Sequence, residues 1–378
     1  MRYPAAVACC LMILSCKAQA QIVKPIEGVP ADSAVANIHV GGRVVRHATS
    51  DGRVVYEHQW PGIYFESRFE GQRVYLSFKD TWNEYRLLID DLPLVTIAQP
   101  GDSQFEVSDL PPGVHQVRLE KVTESIDHAA TFGGFYIPAD EKALSVKARA
   151  RQIEFIGDSS MTGYGNRSAS QICTSEKVRL TTDTQQGFAA LTAKHFNADY
   201  QINAISGRGL IRNYGGFAPD YAMSKVYPFS LLDKIAPYEG DGWHPQIIMV
   251  KLNADYAKPL TDGEAWKNQK ALNADYAKAF RSFAVELHRR YPQAAFLMWG
   301  TNISRIKDQK ALDAVLAWQS SLTDEARRIG INSVGFVPIA TELENAGCDY
   351  HPSLAGHRAL ATALTNYIEA HPQLWQGH

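Results

Sequence analysis

The residue pattern changes near residue 140, and this change constrains the fold more than any other feature of the sequence. Before it, apolar and polar residues alternate in short runs such as "RVVYEHQWPGIYFESRF" and "RVYLSFKD", a pattern typical of half-buried β-strands. Turn pairs such as Asp51-Gly52 and Pro61-Gly62 separate the runs. Many short strands joined by tight turns favour an antiparallel β-sandwich, and we expect a jelly roll over residues 21–140.

After a linker at residues 138–147, the pattern predicts strands that alternate with helices. Short apolar runs predict strands at 153–156, 200–205, 247–252, 295–299 and 331–339. Apolar stripes predict helices at 186–196, 272–287, 312–329 and 360–368. This order implies a parallel sheet between two layers of helices over residues 148–378. Reactive groups in such folds gather beyond the carboxyl ends of the strands.

The charge of the chain limits its classes of partner, and its length indicates the number of domains. The chain has 378 residues, with 38 Lys and Arg against 40 Asp and Glu. The resulting net charge of −2, without long basic runs, argues against nucleic acid or an anionic membrane surface as the main partner. The length is that of two domains, in agreement with the change of pattern. It leaves the oligomeric state open.

The first 20 residues have the pattern of an export signal. Arg2 precedes a short apolar run, and the small-residue sequence "AQA" ends just before Gln21. The pattern predicts a cleaved signal peptide at 1–20 and a secreted or periplasmic protein. The alternative is a lipoprotein anchored through Cys16, because "ILSC" resembles a lipoprotein box; only then would a membrane be a partner.

Removal of this segment leaves two cysteines, Cys173 and Cys348. An even number in an oxidising compartment is consistent with a disulfide between them. Two buried free thiols are the alternative.

The chemistry is predicted at the ends of the first and last strands of the second domain. The first strand runs into "GDSSMTGYGN", which puts Ser159 at the catalytic edge, and the last strand is followed by "CDYHPSLAGH", which puts His351 on the loop before the closing helix. A serine and a histidine at one edge of a sheet could form a nucleophile–base pair. Ser160 and His357 are expected to be structural.

The second and third strands add polar groups at the same edge. The second runs into "SGRGLIRNYGG", where the backbone N–H of Gly207 could approach a carbonyl oxygen closely and serve in an oxyanion hole. The third runs into Asn253-Ala254-Asp255, which brings an amide and a carboxylate.

Taken in order, these blocks resemble the GDSL/SGNH hydrolases, and "GDSSMTGYGN", "SGRGLIRNYGG" and "CDYHPSLAGH" resemble carbohydrate esterase family 2. The resemblance implies a jelly roll followed by an SGNH domain that removes acetyl groups from plant-wall polysaccharides. It implies Ser159 as nucleophile, His351 as general base, and the backbone N–H groups of Ser159 and Gly207 as oxyanion donors.

The sequence departs from the superfamily pattern in two places. Ala254 stands where relatives carry an oxyanion-binding Asn, so Asn253 must reach in or a donor is missing. Cys348 stands where many relatives carry the Asp of a triad. Asp349 could complete a Ser159–His351–Asp349 triad, because residues two apart share a face in extended chain. The alternative is a dyad in which a backbone carbonyl orients His351.

An acetylated polysaccharide or oligosaccharide is the expected partner, without a cofactor; no Cys/His cluster has the spacing of a zinc site. A general carboxylesterase, a glycan acyltransferase and a catalytically weakened polysaccharide-binding protein are the rival hypotheses. The candidate substrate-binding residues are Asp158, Tyr164, Arg208, Asn213, Tyr214 and Trp299.

Overall fold

The computed structural model describes residues 21–240, 242–252, 254–299, 308–331, 333–338 and 343–376. The predicted signal peptide, with Cys16, and Asn253 lie outside the described residues.

The first part of the chain forms two antiparallel sheets, as the alternating pattern predicts. One sheet has the order β1-β10-β7-β12-β5-β4 with β2 on β12, and the other has the order β13-β6-β11-β8-β9 with β3 on β6. The strands are β1 Ile22–Ile26, β2 Ala34–Val35, β3 His39–Gly41, β4 Val44–Ala48, β5 Val54–His58, β6 Tyr64–Gly71, β7 Val74–Asp80, β8 Glu84–Ile89, β9 Leu92–Ala98, β10 Gly101–Ser108, β11 Gly113–Lys121, β12 Ala130–Ile137 and β13 Lys142–Leu144.

Turns and aromatic side chains stabilise this β-domain. Asp90 and Asp91 have φ of 51° and 64°, the left-handed conformation that a two-residue hairpin turn between β8 and β9 requires. In the core, the Phe132 ring lies 4.6 Å from that of Phe65 and 5.5 Å from that of Phe78, between centroids. Such ring contacts add to the stability from apolar burial.

The domain boundary differs slightly from the prediction. Strand β13, Lys142–Leu144, pairs with β6, so the β-domain extends past the predicted end at residue 140. Part of the predicted linker therefore pairs with the sheet and covers an edge of β6.

The second part of the chain forms one parallel sheet in the order β15-β14-β16-β17-β18. Its elements in chain order are β14 Arg151–Gly157, α1 Ser159–Thr162, α2 Ser175–Thr181, α3 Phe188–His195, β15 Ala198–Ala204, α4 Met223–Val226, β16 Ile247–Lys251, α5 Gln269–Arg290, β17 Ala295–Trp299, α6 Gln309–Arg328, β18 Val334–Val337 and α7 Leu354–Ala370. Short 3-10 helices lie at Thr184–Gln186, Tyr214–Gly216, Pro219–Tyr221, Ala254–Tyr256, Cys348–Tyr350 and Pro372–Trp375.

Helices cover both faces of this sheet. On β16, Ile247 and Met249 pack in the core that holds α3 and α7, whereas Ile248 and Val250 pack in the core that holds α5. Successive strand residues point to opposite faces, so the two groups of helices lie on opposite sides of the sheet. The antiparallel β-domain followed by a parallel α/β domain is therefore confirmed.

Buried polar contacts join the two domains. The Arg43 guanidinium from the β-domain lies 3.1 Å from the Glu154 carboxylate of β14, and both side chains are fully buried. Tyr64 donates a hydrogen bond of 2.6 Å to Asp199 of β15. Buried charges are tolerated only when paired, so these contacts specify how the domains pack.

Within the described ranges, no helix has both the length and the apolar character needed to cross a bilayer.

Candidate active site

A sharp turn between β14 and α1 presents Ser159 at the edge of the sheet. Asp158 caps α1, and its carboxylate accepts from the Ser160 backbone N–H at 3.1 Å and from the Ser160 hydroxyl at 2.7 Å. A Cβ on Gly157 would lie 2.4 Å from the sulfur of Met161 and 2.8 Å from the carbonyl of Lys251, so the turn requires glycine. β14 is the second of the five strands, between β15 and β16, so Ser159 stands at the carboxyl end of an interior strand.

His351 reaches this serine from the loop before α7. Its Nε2 lies 2.7 Å from Ser159 Oγ, and its Nδ1 lies 2.9 Å from the backbone carbonyl of Cys348. A carbonyl only accepts, so the proton stands on Nδ1 and Nε2 is free to accept the serine proton. The two candidate residues are therefore within hydrogen-bonding distance in a reactive tautomer.

Asp349 does not contact the imidazole in the way the triad hypothesis requires. Its carboxylate accepts a hydrogen bond of 2.8 Å from the Tyr164 hydroxyl, and the Cys348 carbonyl takes the place beside Nδ1. The Tyr164 ring lies 4.4 Å from the His351 ring, between centroids. The geometry is that of the dyad, because the chain turns at Asp349 instead of staying extended.

That turn is held by an unusual backbone and by a covalent bond. Asp349 and Tyr350 have φ of 50° and 61°, in the left-handed region that non-glycine residues rarely adopt. The Asp349 N–H donates to the Gln171 carbonyl at 2.7 Å, and a disulfide joins Cys348 to Cys173. The disulfide pairs the two cysteines as the sequence predicts, and it anchors the residue whose carbonyl orients His351.

Burial is the main reason that His351 favours its neutral form. Burial lowers the pKa of His351, and the Lys251 ammonium lowers it further, against the opposing effects of the Cys348 carbonyl, Asp158 and Asp349. A neutral imidazole near pH 7 is what a general base requires.

Two of the three predicted oxyanion donors belong to described residues. The N–H of Ser159 belongs to the first turn of α1, where backbone donors lack partners within the helix. Gly207 follows β15 with φ of 74°, and a Cβ there would be strained and would lie 3.2 Å from the Phe217 ring. Asn253, the third predicted donor, lies outside the described residues.

Asp255 has a structural function that the sequence pattern did not reveal. Its carboxylate accepts from the backbone N–H groups of Leu210, Ile211 and Arg212 at 2.7, 2.9 and 2.8 Å. These bonds hold the loop after Gly207 against the end of β16. The position of an acid after a strand indicates a site, but only the tertiary contact identifies its partners.

Comparison with known proteins identifies relatives of this chain. A family model, carbohydrate esterase 2 N-terminal, matches residues 40–146. A curated acetylxylan esterase / glucomannan deacetylase from Cellvibrio japonicus (strain Ueda107) is 38% identical over 339 residues, covering 89% of this chain and 92% of the relative. The chain belongs to carbohydrate esterase family 2.

Solved structures of this family share the two-domain fold. A carbohydrate esterase whose active site displays divergent catalytic and non-catalytic binding functions has a TM-score of 0.81 and 36% identity, covering 90% of this chain and 100% of its own. A family two carbohydrate esterase from Clostridium thermocellum in complex with cellohexaose has a TM-score of 0.71 and 26% identity, covering 89% of this chain and 100% of that one.

Two of the predicted substrate-binding residues of this family 2 esterase are engaged inside the protein. Asp158 is buried as the cap of α1, beside Lys251 at 3.5 Å. Asn213 is fully buried and donates to the carbonyls of Phe217 and Ala218 at 3.0 and 2.7 Å. Both side chains have partners inside the protein, as polar residues near a site often do when they build its loops. Their contact with substrate stays a prediction.

The other candidates differ in exposure. Tyr214 is 46% exposed, whereas Arg208 is buried, with its guanidinium 4.7 Å from the Phe217 ring centroid. Trp299 is partly buried against the core, where its ring lies 5.4 Å from that of Phe188. Tyr164 supports His351, as described above. Of this set, only the Tyr214 ring presents a large open face.

Sequence reasoning missed two further exposed aromatic rings next to the catalytic residues. Phe217 is 46% exposed and packs beside Gly207, and Tyr350 is 66% exposed immediately before His351. Their proximity in sequence to Gly207 and His351 was the available signal.

Ser160 and His357, which are expected to be structural, both lie inside the protein. Ser160 is buried and its hydroxyl accepts from Lys251 Nζ at 2.6 Å. His357 is fully buried and accepts from the Phe188 backbone N–H at 3.2 Å. The residues that the structure describes contain no group of three or more His, Cys, Asp or Glu arranged to hold a metal ion.

Proposed function

We propose that this chain is a serine esterase that removes O-acetyl groups from plant cell-wall polysaccharides such as xylan and glucomannan. The observation that carries the proposal is the 2.7 Å contact between Ser159 Oγ and His351 Nε2, in a chain of carbohydrate esterase family 2. This contact is the one that a nucleophile and its general base require.

The proposed reaction proceeds through an acyl-enzyme. His351 Nε2 takes the Ser159 proton as Oγ bonds to the acetyl carbonyl carbon. The bond from that carbon to the sugar oxygen breaks, and the imidazolium returns the proton to the leaving sugar hydroxyl. Water then attacks the acyl-enzyme, with His351 again as base, so that acetate leaves and the serine hydroxyl is restored.

Two backbone groups would stabilise the tetrahedral intermediate. The N–H groups of Ser159 and Gly207 donate to the oxyanion, and Asn253 is the third donor of this proposal. The Cys348 carbonyl stabilises the imidazolium through Nδ1, at 2.9 Å in the resting enzyme. A carbonyl dipole replaces the carboxylate of a triad in this role.

The substrate assignment rests on relatives and on exposed aromatic rings. The 38% identical relative is named an acetylxylan esterase / glucomannan deacetylase, and a structural relative was solved with cellohexaose. Tyr214, Phe217 and Tyr350 offer exposed faces near the catalytic pair, and sugar rings stack on such faces.

We also infer that the enzyme is exported and that its β-domain is a jelly roll. Support for export comes from the signal-like residues 1–20 and from a disulfide, which persists in oxidising compartments. Support for the jelly roll comes from two antiparallel sheets whose neighbouring strands are mostly not consecutive in sequence.

Acetate release tests the proposal. Wild type and the Ser159→Ala variant are incubated with acetylated xylan and acetylated glucomannan, and NMR of the product identifies the deacetylated hydroxyl. We expect the variant to lose about 10⁴-fold or more in turnover. Ser320→Ala, which changes an exposed serine on α6, is the matched control and should retain full activity.

Three results would contradict the proposal. Equal hydrolysis of p-nitrophenyl acetate by wild type and Ser159→Ala would favour a binding protein. A preference for p-nitrophenyl octanoate over the acetate would favour a general carboxylesterase. Transfer of the acyl group to an added acceptor sugar, without acetate release, would favour an acyltransferase.

A further inference from the structure

A carboxylate from the β-domain reaches the turn that carries the oxyanion-binding glycine. Glu124 lies just after β11, and its Oε1 accepts from the Ser206 backbone N–H at 2.7 Å. Its Oε2 accepts from the Ser206 hydroxyl at 2.6 Å. Both carboxylate oxygens therefore bind the residue that immediately precedes Gly207 in the other domain.

The position of Ser206 limits the direction of the Gly207 N–H. Glu124 holds the Ser206 N–H, which belongs to the preceding peptide unit, and the Ser206 side chain. Only the ψ rotation of Ser206 then separates these fixed groups from the planar peptide unit that contains the Gly207 N–H. Gly207 has φ of 74° and, as a glycine, has wide conformational freedom. On its other side, the Gly207 carbonyl accepts from the Tyr214 N–H at 2.8 Å. Glu124 holds the first side of this turn.

The same contacts extend to the nucleophile. The Ser206 hydroxyl lies 3.1 Å from the Thr162 hydroxyl, and Thr162 donates to the Ser159 carbonyl at 3.1 Å. Because the single proton of each hydroxyl is already given to Glu124 or to the Ser159 carbonyl, the Ser206–Thr162 contact is a close polar contact and not a third hydrogen bond. Glu124 therefore bonds the residue before Gly207, and that residue packs against the turn that carries Ser159. An oxyanion hole acts only when its donors are pre-aimed at the developing charge.

The segment that carries Glu124 is itself held firmly. The Trp82 indole donates to the Glu124 carbonyl at 3.2 Å, and the buried Lys121 ammonium donates to the Gln59 carbonyl at 2.6 Å and to the Ser125 hydroxyl at 2.7 Å. The Thr184 N–H of the second domain donates to the Val122 carbonyl at 2.9 Å. These bonds give Glu124 a fixed base from which to hold Ser206.

We propose that Glu124 is a positioning residue for the oxyanion hole, so that the β-domain completes the active site in addition to any contact it makes with glycan. This inference rests on the proposed esterase function. The carboxylate acts through Ser206 and does not touch the substrate. Its effect is to lower the energy of the tetrahedral intermediate by keeping the Gly207 N–H in place.

Three substitutions of Glu124 distinguish its geometry from its charge. Glu124→Gln keeps the side-chain length and one acceptor oxygen for the Ser206 N–H. Glu124→Asp keeps the charge but withdraws the carboxylate by one methylene. Glu124→Ala removes both. We expect kcat to fall less than about 5-fold in Glu124→Gln, about 10-fold in Glu124→Asp and about 10- to 100-fold in Glu124→Ala. These losses are smaller than the roughly 10²- to 10³-fold loss in kcat that follows removal of an oxyanion donor.

The readout separates transition-state stabilisation from folding. For p-nitrophenyl acetate, KM should stay within about 3-fold of wild type, because only the intermediate uses the oxyanion hole. The inhibition constant of methylboronic acid, which forms a tetrahedral adduct with the serine, should rise in parallel with the loss in kcat. Inhibition by acetate should not change. Glu57→Gln, a carboxylate that bonds His47 on another strand of the β-domain, is the control.

A double-mutant cycle tests whether Glu124 acts through Ser206. Ser206→Ala removes the hydroxyl bond to Glu124 but keeps the N–H bond, so kcat should fall about 3- to 10-fold. In the double variant Ser206→Ala/Glu124→Ala, the fold-loss in kcat should be smaller than the product of the two single losses. If Glu124→Ala does not fold, the Gln and Asp variants decide the question.

Two results would overturn the inference. In the first, kcat and boronate affinity stay within 2-fold of wild type in both Glu124→Asp and Glu124→Ala. In the second, Glu124→Asp retains more activity than Glu124→Gln. Failure of the esterase proposal itself has a different signature, since wild type and Ser159→Ala would then hydrolyse p-nitrophenyl acetate equally.

Discussion

The turn that carries Ser159 and the loop that carries His351 are held in place by different kinds of force. The nucleophile turn joins the interior strand β14 to the short helix α1, and its polar contacts, such as those that Asp158 accepts from Ser160, are buried. The histidine loop has two left-handed non-glycine residues and depends on a disulfide and a few local hydrogen bonds.

The difference shows what each side of the dyad requires. Regular secondary structure aims Ser159, because backbone hydrogen bonds of β14 and α1 determine where the turn ends. Only a single 3-10 turn, Cys348–Tyr350, precedes His351, so covalent and strained local structure must supplement it. We therefore expect the histidine loop to be the more easily damaged half of the active site.

The largest expected effect in this comparison comes from removing the disulfide. In the Cys173→Ala/Cys348→Ala variant, the loop loses its covalent anchor, so kcat should fall about 10-fold or more while the free energy of unfolding falls by about 2–5 kcal/mol. Thermal unfolding and p-nitrophenyl acetate kinetics, measured well below the melting temperature, separate the two losses.

A control for the double substitution is to reduce the disulfide chemically in both proteins. Dithiothreitol should slow the wild type towards the rate of the double variant and leave the double variant unchanged. Full activity in wild-type protein with both thiols alkylated after reduction would show that the histidine loop needs no covalent support.

A smaller effect is expected at Asp349. Because its carboxylate binds the Tyr164 hydroxyl and not the imidazole, Asp349→Asn should lower kcat less than about 10-fold, compared with about 10⁴ for the corresponding change in a triad. Tyr164→Phe, which removes the other partner of the same hydrogen bond, should give a similar loss. If kcat fell by several orders of magnitude in Asp349→Asn but not in Tyr164→Phe, the triad hypothesis would be supported instead.

The smallest expected effect is a shift in pH dependence. The neutral imidazole is the base, so kcat/KM should rise with pH as His351 loses its proton and then level off. Since burial lowers the pKa of His351, the midpoint of this rise should lie below about 6.5, the ordinary value for histidine. Asp349 raises that pKa, so Asp349→Asn should move the midpoint to still lower pH. A midpoint above 6.5 would contradict the burial of the imidazole.

Sequence patterns predicted much of this protein. The change from alternating residues to strand–helix alternation located both domains, because side-chain periodicity reflects which faces are buried. The positions of Ser159, Gly207 and His351 after strands predicted a shared catalytic edge, because parallel strands bring their carboxyl ends together. The resemblance to carbohydrate esterase family 2 added their roles.

The tertiary structure alone decided which partner each polar group has. Asp349 lies two residues from His351, and the left-handed turn there directs its carboxylate to Tyr164. Glu124 lies 82 residues before Ser206, and only the packing of the two domains brings them together. Periodicity reports burial along one element, whereas hydrogen bonds depend on directions and distances between elements. For that reason the catalytic pair could be predicted from the sequence, but the contacts that orient it could not.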